Sequence, residues 1–571
     1  MSETQKLSKI EILKENSRQL RGTLAEELAP SVDAFNDDNA NLLKLHGMYQ
    51  QDDRDTRGGK GEDAKKRVII MVRTRIPGGK MTAAGLLAEL DLCDEFGNGT
   101  LRITSRQGLQ LHGVLKDNLK AVVRGITDRV QLTTWGACGD VNRNVMCCPA
   151  PYRNSKVHDD MQALAYTLAE HFKSRSTAYR EIWLNDDGEE TKVAEFKPVE
   201  EPIYGDRYLP RKFKMGIALP EDNCVDILTY DLGLLAIAEG GRIQGYNIYV
   251  GGGQGMTPAN KKTFPAVGQK IGFAFPEDVV ETVEAIVKVW RDFGNREDRK
   301  QARIKYLLRD WGIDQFKAYV EEYLGRSLGV SHPIEPYGVD DHLGWREQGD
   351  GKWYLGINVD NGRIKDEGEV RMKSAIRALL AKYPREVRLT ALQSLIICDI
   401  EESERADIDA ILKAHGVQAA EEQSPLRRLA IACPALPTCG LSVTDSERVM
   451  PQAVAQIQAE LDKLGMSNEP LAVHMTGCPN GCARPYSPDI GLVGKARGKY
   501  TMYVGGNVVG ARIGFIYKDM VPLEEIGQTV APLLSYFQRS RFPGETFGDF
   551  CYRMGLEDLT AAAGGVTTTP A

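Results

Sequence analysis

Four cysteines carry the densest potential for chemistry in this chain. Cys433 and Cys439, in IACPALPTCG, have five residues between them, and Cys478 and Cys482, in HMTGCPNGCARPY, have three; residues 440–477 separate the two pairs. Pro434, Pro437, Gly440, Gly477, Pro479 and Gly481 surround them, so these thiols belong to open turns and not to the periodic apolar faces where packing cysteines sit. A C-x5-C…C-x3-C pattern suits a cubane iron-sulfur cluster held by four thiolates. A zinc site is the alternative, although structural zinc usually takes pairs with two residues between the thiols. The other seven of the eleven cysteines show no such spacing and read as packing residues.

Cations at strand spacing are the second chemical feature. Arg73 and Arg75 in VIIMVRTRIPGGK, and Lys212 and Lys214 in RKFK, stand two residues apart, so within a strand each pair projects to one side and can line a pocket. The solvated face of an edge strand is the competing interpretation. LRITSRQGLQLHG reads as strand, with Leu101, Ile103, Leu109 and Leu111 on one face and Arg102, Thr104, Arg106, Gln110 and His112 on the other. NREDRKQARIK predicts a helix that carries Arg296, Arg299 and Arg303 on one side.

These elements recur. LRITSRQGLQLHG returns as VRLTALQSLIICD at an offset of 286, CPAP at Cys148 as CPAL at Cys433, DLGLL at Asp231 as DIGLV at Asp489, and YNIYVGGG at Tyr246 as YTMYVGGN at Tyr500. Four matches in one order predict a duplicated α+β unit with internal pseudo-symmetry. The copies have diverged: Arg106, Gln110 and His112 become Leu392, Ile396 and Cys398. KFKMGIALPEDNC in the first half stands where the second has AVHMTGCPNGC, which assigns the paired thiols to the second half alone.

Composition sets the limits. A chain of 571 residues holds several domains, its apolar runs are too short to span a bilayer, and MSETQKLSKIEILKENSRQL lacks the apolar core of a secretory signal. A cytoplasmic protein with reduced thiols is expected. The net charge of -7 argues against a nucleic-acid-coating surface. The first 45 or so residues read as an amphipathic helical arm, either a docking element or a dangling tail, and QQDDRDTRGGKGEDAKKR as a surface loop. The glycine runs VGGGQG and VGGN lack G-x-G-x-x-G, so a dinucleotide site is not expected.

The cysteine spacing together with TGCPNGC, DVNRNVMC, YLPRKFK, HGMYQQDDRD and TFGDFCYRMG resembles, nearly end to end, the siroheme sulfite/nitrite reductase superfamily, in particular its assimilatory sulfite reductase hemoproteins. The resemblance implies an α+β, internally duplicated, multi-domain fold. Residues 1–65 would form an arm and loop, 66–138 and 333–422 two ferredoxin-like half-domains, 139–332 a siroheme-cage domain and 423–571 the iron-sulfur domain. It implies that Cys433, Cys439, Cys478 and Cys482 hold a 4Fe-4S cluster and that Cys482 also bridges to the siroheme iron. Arg73, Arg143, Lys212 and Lys214 would face the substrate anion, sulfite or alternatively nitrite. Arg106, Gln110, His112, Asn142 and Arg303 would contact siroheme. Nitrite-reducing relatives typically have Asn at the position matching Lys214, so Lys214 favours sulfite. The electron donor would be a separate protein, an NADPH-dependent flavoprotein or a ferredoxin. A non-siroheme iron-sulfur or zinc protein is the remaining alternative.

Overall fold

The computed structural model describes residues 6–28, 32–56, 66–175, 181–186, 189–195, 201–258 and 260–564. LRITSRQGLQLHG is not one strand. It is a hairpin, in which Leu101–Ile103 and Leu109–Val114 pair antiparallel with Leu101 opposite Leu111 and Arg102 opposite Gln110. Partners across the hairpin differ by an even number, so the apolar and polar faces read by parity survive the reversal. The turn places Gln107 in left-handed backbone, φ 50°. The second copy repeats the geometry: Val387–Leu389 pairs with Leu395–Ile400, and Gln393 turns at φ 66°.

In each hairpin a threonine closes the turn. The Thr104 N–H donates to Gly108 O at 2.9 Å while its hydroxyl accepts from Gly108 N–H at 3.1 Å; Thr390 and Ser394 make the same two bonds at 2.8 and 3.0 Å. The turn glutamine then reaches a neighbouring strand end. The Gln107 amide donates to Cys147 O and accepts from Cys147 N–H, and the Gln393 amide does the same with Ala432.

Each hairpin lies in a five-stranded sheet. One runs Met48–Asp52, Val68–Thr74, Leu109–Val114, Leu101–Ile103, Arg363–Ile364, and the other Gly344–Glu347, Trp353–Ile357, Leu395–Ile400, Val387–Leu389, Lys80–Met81. The last strand of each comes from the opposite repeat. Val68–Thr74 pairs on both sides, so Arg73 does not belong to an edge strand.

Two further five-stranded sheets mirror one another. Asn142–Cys147, Phe213–Ala218 and Leu232–Glu239 run parallel and continue antiparallel through Arg242–Val250 and Gln269–Ala274. Ile431–Ala432, Val473–Thr476, Ile490–Ala496, Lys499–Val504 and Phe515–Pro522 repeat that order and direction. Helices Val157–His171 and Val279–Phe293 are matched by Met450–Lys463 and Ile526–Ser540. One apolar core runs from Leu20 to Val417 and so joins the first large sheet to both small ones, while a second, from Leu426 to Leu559, belongs to the last sheet alone.

Two readings of the sequence change. Residues 295–303 form no continuous helix: Arg299–Gln301 is a short 3-10 turn, and the three arginines diverge to Glu11, Asp140 and Asp231. Capping by Asp298 and the need of three buried carboxylates for counter-charges outweigh the helical spacing. The N-terminal arm is no dangling tail. Its helix Lys9–Glu15 buries Lys14, which donates to Leu209 O at 2.7 Å and pairs with Glu11 at 2.5 Å, and Glu11 pairs with Arg296. Of the charged surface-loop reading, residues 57–65 lie outside the described residues. Among the described residues no helix is long and apolar enough to cross a membrane.

Candidate active site

Lys212 and Lys214 flank Phe213 at the start of Phe213–Ala218, an interior strand, and the alternation buries Phe213 while both lysines face a polar interior. Asp231 fixes this strand entry, for its carboxylate accepts the Lys214 backbone N–H at 2.9 Å. Arg303 neutralises the same carboxylate through two bonds of 2.7 and 2.8 Å. The sequence reading gave Arg303 to a siroheme carboxylate; the structure pairs it bidentately with Asp231, so its charge is already compensated.

Around the lysines the cations converge. The Arg106 guanidinium lies 4.5 Å from the Tyr230 ring centroid and the Lys214 ammonium 5.9 Å from it. Arg106 also donates to Asn144 O at 2.5 Å. Burial pushes the Lys212 and Lys214 ammoniums well below the usual lysine range, and adjacent cations push them further, Arg143 acting first on Lys212 and Lys212 first on Lys214. The Cys482 thiol acts on both in the opposite sense, raising them. Arg106 is lowered to about 10, chiefly by burial. Four positive groups held this closely in low dielectric are costly unless they face an anion.

Arg143 and Arg73 meet at Cys138. Arg73 donates to the Cys138 sulfur at 3.0 Å and to Ala137 O at 3.3 Å. It stands opposite Gln110 in register, and with the Gln110 amide flipped its oxygen would accept from Nε and Nη2 at 3.2 and 2.6 Å. Burial opposes the charge of Arg143, but Tyr49, Cys138 and Asp140 outweigh it and keep the group above its usual value. Arg143 also lines a small recess with Lys44, Tyr49, Asp140, Arg211 and Arg299, so four basic side chains face one carboxylate there.

Several polar atoms of the predicted set are buried with no partner: both ring nitrogens of His112, both amide atoms of Asn142, and Nη1 of Arg106. Buried orphans of this kind are rare in folded proteins and each costs on the order of 1–3 kcal/mol. His112, with its pKa driven well down by burial and then by Arg363, Arg102 and Arg73, is neutral and offers one donor and one acceptor. This donor set fits a carboxylate-bearing macrocycle.

The four cysteines come together, with Cys482 within electrostatic reach of both lysines. Burial raises Cys433, Cys439 and Cys478, the last to about 12, and in each the Cys482 thiol is the next cause, as expected of thiols sharing one space. Backbone and side-chain donors reach the sulfurs: Gly477 N–H to Cys433 at 3.3 Å and the Asn480 amide to Cys478 at 3.5 Å. Among the described residues one set of ligand atoms lies close enough for a single ion, within 4.8 Å of one another, and it is not these four.

Sequence reasoning missed the residues that seat this cluster. Arg54 donates through its guanidinium to Ser442 O at 2.6 Å and through its backbone N–H to Pro437 O at 3.2 Å, tying the N-terminal loop to the cysteine turn. Ser105, at the first hairpin turn, donates to Cys482 O at 3.1 Å. Arg484 pairs with Asp226 at 2.9 Å. The motif HGMYQQDDRD contains Arg54 and Tyr49, and was a usable signal without an assignable role.

With this geometry established, comparison with known proteins decides the family. The model of the nitrite and sulphite reductase 4Fe-4S domain matches residues 138–328 and 425–567, and that of the nitrite/sulfite reductase ferredoxin-like half domain matches 63–129 and 346–415. The chain belongs to the nitrite and sulfite reductase family. Its alternation of half domain and 4Fe-4S domain, each matched twice, is the duplication seen in the sheets. Among relatives in this family, the sulfite reductase [ferredoxin] of Synechococcus elongatus is 42% identical over 97% of this chain and 90% of its own length. The sulfite reductase [NADPH] hemoprotein beta-component of Geobacillus kaustophilus is 42% identical over 96% of both chains. The solved structure of the Mycobacterium tuberculosis NirA protein superposes with a TM-score of 0.80 at 25% identity, covering 97% of this chain and 98% of that one.

Proposed function

We propose that this chain is an assimilatory sulfite reductase of the cytoplasm, which takes sulfite to sulfide with electrons from a separate donor protein. The carrying observation is that Cys482, the exposed member of the cysteine set, acts electrostatically on Lys212 and Lys214, which joins the thiolate cluster to the cationic pocket. Family membership and the names of the relatives support the reaction. We assign the cluster to Cys433, Cys439, Cys478 and Cys482, and keep the division into arm, two half-domains and two larger domains drawn above.

Siroheme and the 4Fe-4S cluster, when bound, supply single electrons at an iron open to a small anion. The chain's own residues do the rest. Sulfur passes from +4 to -2, so six electrons enter and three oxygens leave as water, which demands protons at a buried anion. Arg73 and Arg143 hold fixed guanidinium donors on the sulfite oxygens. Lys212 and Lys214, whose ammoniums are pushed toward neutrality, release protons to departing oxygens more readily than ordinary lysines. Arg106, His112 and Asn142 offer their unpartnered atoms to the siroheme carboxylates. Gln110 positions Arg73, and Arg303 acts through Asp231 on the lysine strand.

The test is spectral and catalytic. Protein made alongside siroheme synthesis should show a Soret band and about five irons per chain, and should form sulfide from sulfite with reduced methyl viologen. It should not oxidise NADPH unaided; adding a donor flavoprotein or ferredoxin should restore physiological turnover. A colourless, zinc-loaded cysteine set would overturn the proposal.

A further inference from the structure

The duplication has a second consequence, in the first repeat. The loop joining Phe213–Ala218 to Leu232–Glu239 has the length of that joining Val473–Thr476 to Ile490–Ala496, since one offset of 258 carries the register pair Met215 and Leu232 onto Val473 and Ile490. The loops share conformation too. Asp226 and Arg484, related by that offset, both have positive φ, 60° and 53°, and the Asp226 N–H bonds Asn223 O as the Arg484 N–H bonds Gly481 O. Cys224 therefore stands where Cys482 stands. Likewise the Cys148 N–H donates to Ile217 O at 3.3 Å and the Cys433 N–H to Met475 O at 3.2 Å, at matching register. Direct alignment of the two loops by sequence assigned paired thiols to the second half alone; the register shows that the first half keeps two of the four positions.

At those two positions the first repeat gathers other ligands. Asp222 Oδ2 lies 2.8 Å from the Cys148 sulfur, 3.3 Å from the Cys224 sulfur and 2.9 Å from His342 Nε2, and Cys148 lies 3.7 Å from His342 Nε2. The four ligand atoms are all within 4.8 Å of one another and all four residues are buried. Asp222 Oδ1 is held apart from them by the N–H groups of Cys224 and Asp340, at 3.2 and 3.1 Å, which aims Oδ2 into the group. Three side-chain donors converging on one oxygen is an overcrowded hydrogen-bond arrangement, whereas two sulfurs, an imidazole nitrogen and a carboxylate oxygen all within 4.8 Å of one another can serve as the corners of a tetrahedral zinc site.

We propose that Cys148, Asp222, Cys224 and His342 bind one divalent cation of the zinc class, at the place in the first repeat that corresponds to the iron-sulfur cluster in the second. Two thiolates, an imidazole and a carboxylate are a ligand set that selects zinc over magnesium or calcium. Binding displaces the two thiol protons. The cation clasps three separate segments: the end of strand Asn142–Cys147, the loop after Phe213–Ala218, and the connection between the repeats, which contributes His342. Its role is structural, so it stands or falls apart from the redox reading.

The test is metal analysis of the full-length holoprotein purified from zinc-supplemented cells. About one zinc per chain beyond the iron is expected, with zinc K-edge absorption showing two sulfur and two lighter ligands. Cys224→Ser and His342→Gln should each lower zinc at least tenfold with iron content and Soret absorbance retained, and Cys551→Ser should leave zinc unchanged. Failure of a variant to fold is controlled by the wild type, whose zinc content and coordination decide the matter alone. Wild-type protein with less than about a tenth of a zinc per chain, zinc with an all-sulfur or all-oxygen shell, or a Cys148–Cys224 disulfide in the purified holoprotein would overturn the proposal.

Discussion

The same two positions hold opposite chemistry in the two repeats. In the first, Arg106 and Lys214 project into a pocket of cations; in the second, the offsets of 286 and 258 place Leu392 and Ala472 there. Those two residues, with Cys224, His474 and Arg484, line a small recess between the repeats. Arg484 is there already paired with Asp226. Corresponding strands thus build one site that demands an anionic partner and one that does not. The lesson is that the fold supplies a pair of equivalent recesses, and a few side chains decide which is chemical.

The comparison breaks most visibly at the thiols. Cys482→Ser should remove both the cluster and siroheme signals, since one thiolate serves both, whereas Cys551→Ser, in the apolar core, should leave the visible spectrum unchanged. Next, Arg106→Leu copies the second repeat onto the first. Siroheme content should fall tenfold or more with cluster iron retained, measured by extracted pigment against iron. The reverse change, Leu392→Arg, buries an uncompensated guanidinium and should cost about 3 kcal/mol in chemical denaturation without creating a second pigment site.

Lys214→Asn should lower kcat/KM for sulfite at least tenfold, about 1.4 kcal/mol of transition-state stabilisation, while nitrite turnover is kept. Equal loss on both substrates would make Lys214 a general structural residue. The last contrast separates Asp231 from its duplicate Asp489, which accepts the Ala472 and Gly548 N–H groups and makes no ion pair among the described residues. Burial raises Asp489 from its ordinary 3.8 to about 6. The folded state therefore binds a proton more tightly than the unfolded chain, and stability falls as pH rises from about 4 to 6 and is level above. Asp489→Asn removes that fall. Relative to wild type it should gain on the order of 1–3 kcal/mol between pH 4 and 7, read from urea midpoints at both pH values.

Cysteine spacing and repeated motifs made the cluster and the duplication legible, because both are encoded in local pattern. The Arg73, Arg143 and Lys212/Lys214 set needed the family resemblance, for spacing alone leaves such residues indistinguishable from a solvated strand face. The hairpin at Gln107 was hidden because even-numbered pairing preserves parity, so a bent and a straight strand give the same alternation. Arg296, Arg299 and Arg303 misled for the opposite reason: their period is helical, but their carboxylate partners lie in three distant segments. Asp222 and His342 could not be joined to Cys148 from sequence, since no two of the three elements that carry them are adjacent in the chain.

The exchange of edge strands sets how the molecule must be made. Arg102 of the first small sheet is closed by Arg363, and Arg388 of the second by Lys80. During synthesis the first sheet keeps an open edge until residue 364 has left the ribosome, and a chain cut in the connection between repeats yields two fragments that each lack a border. Such fragments should complement one another when co-expressed and aggregate when made singly, as two subunits of an obligate pair would.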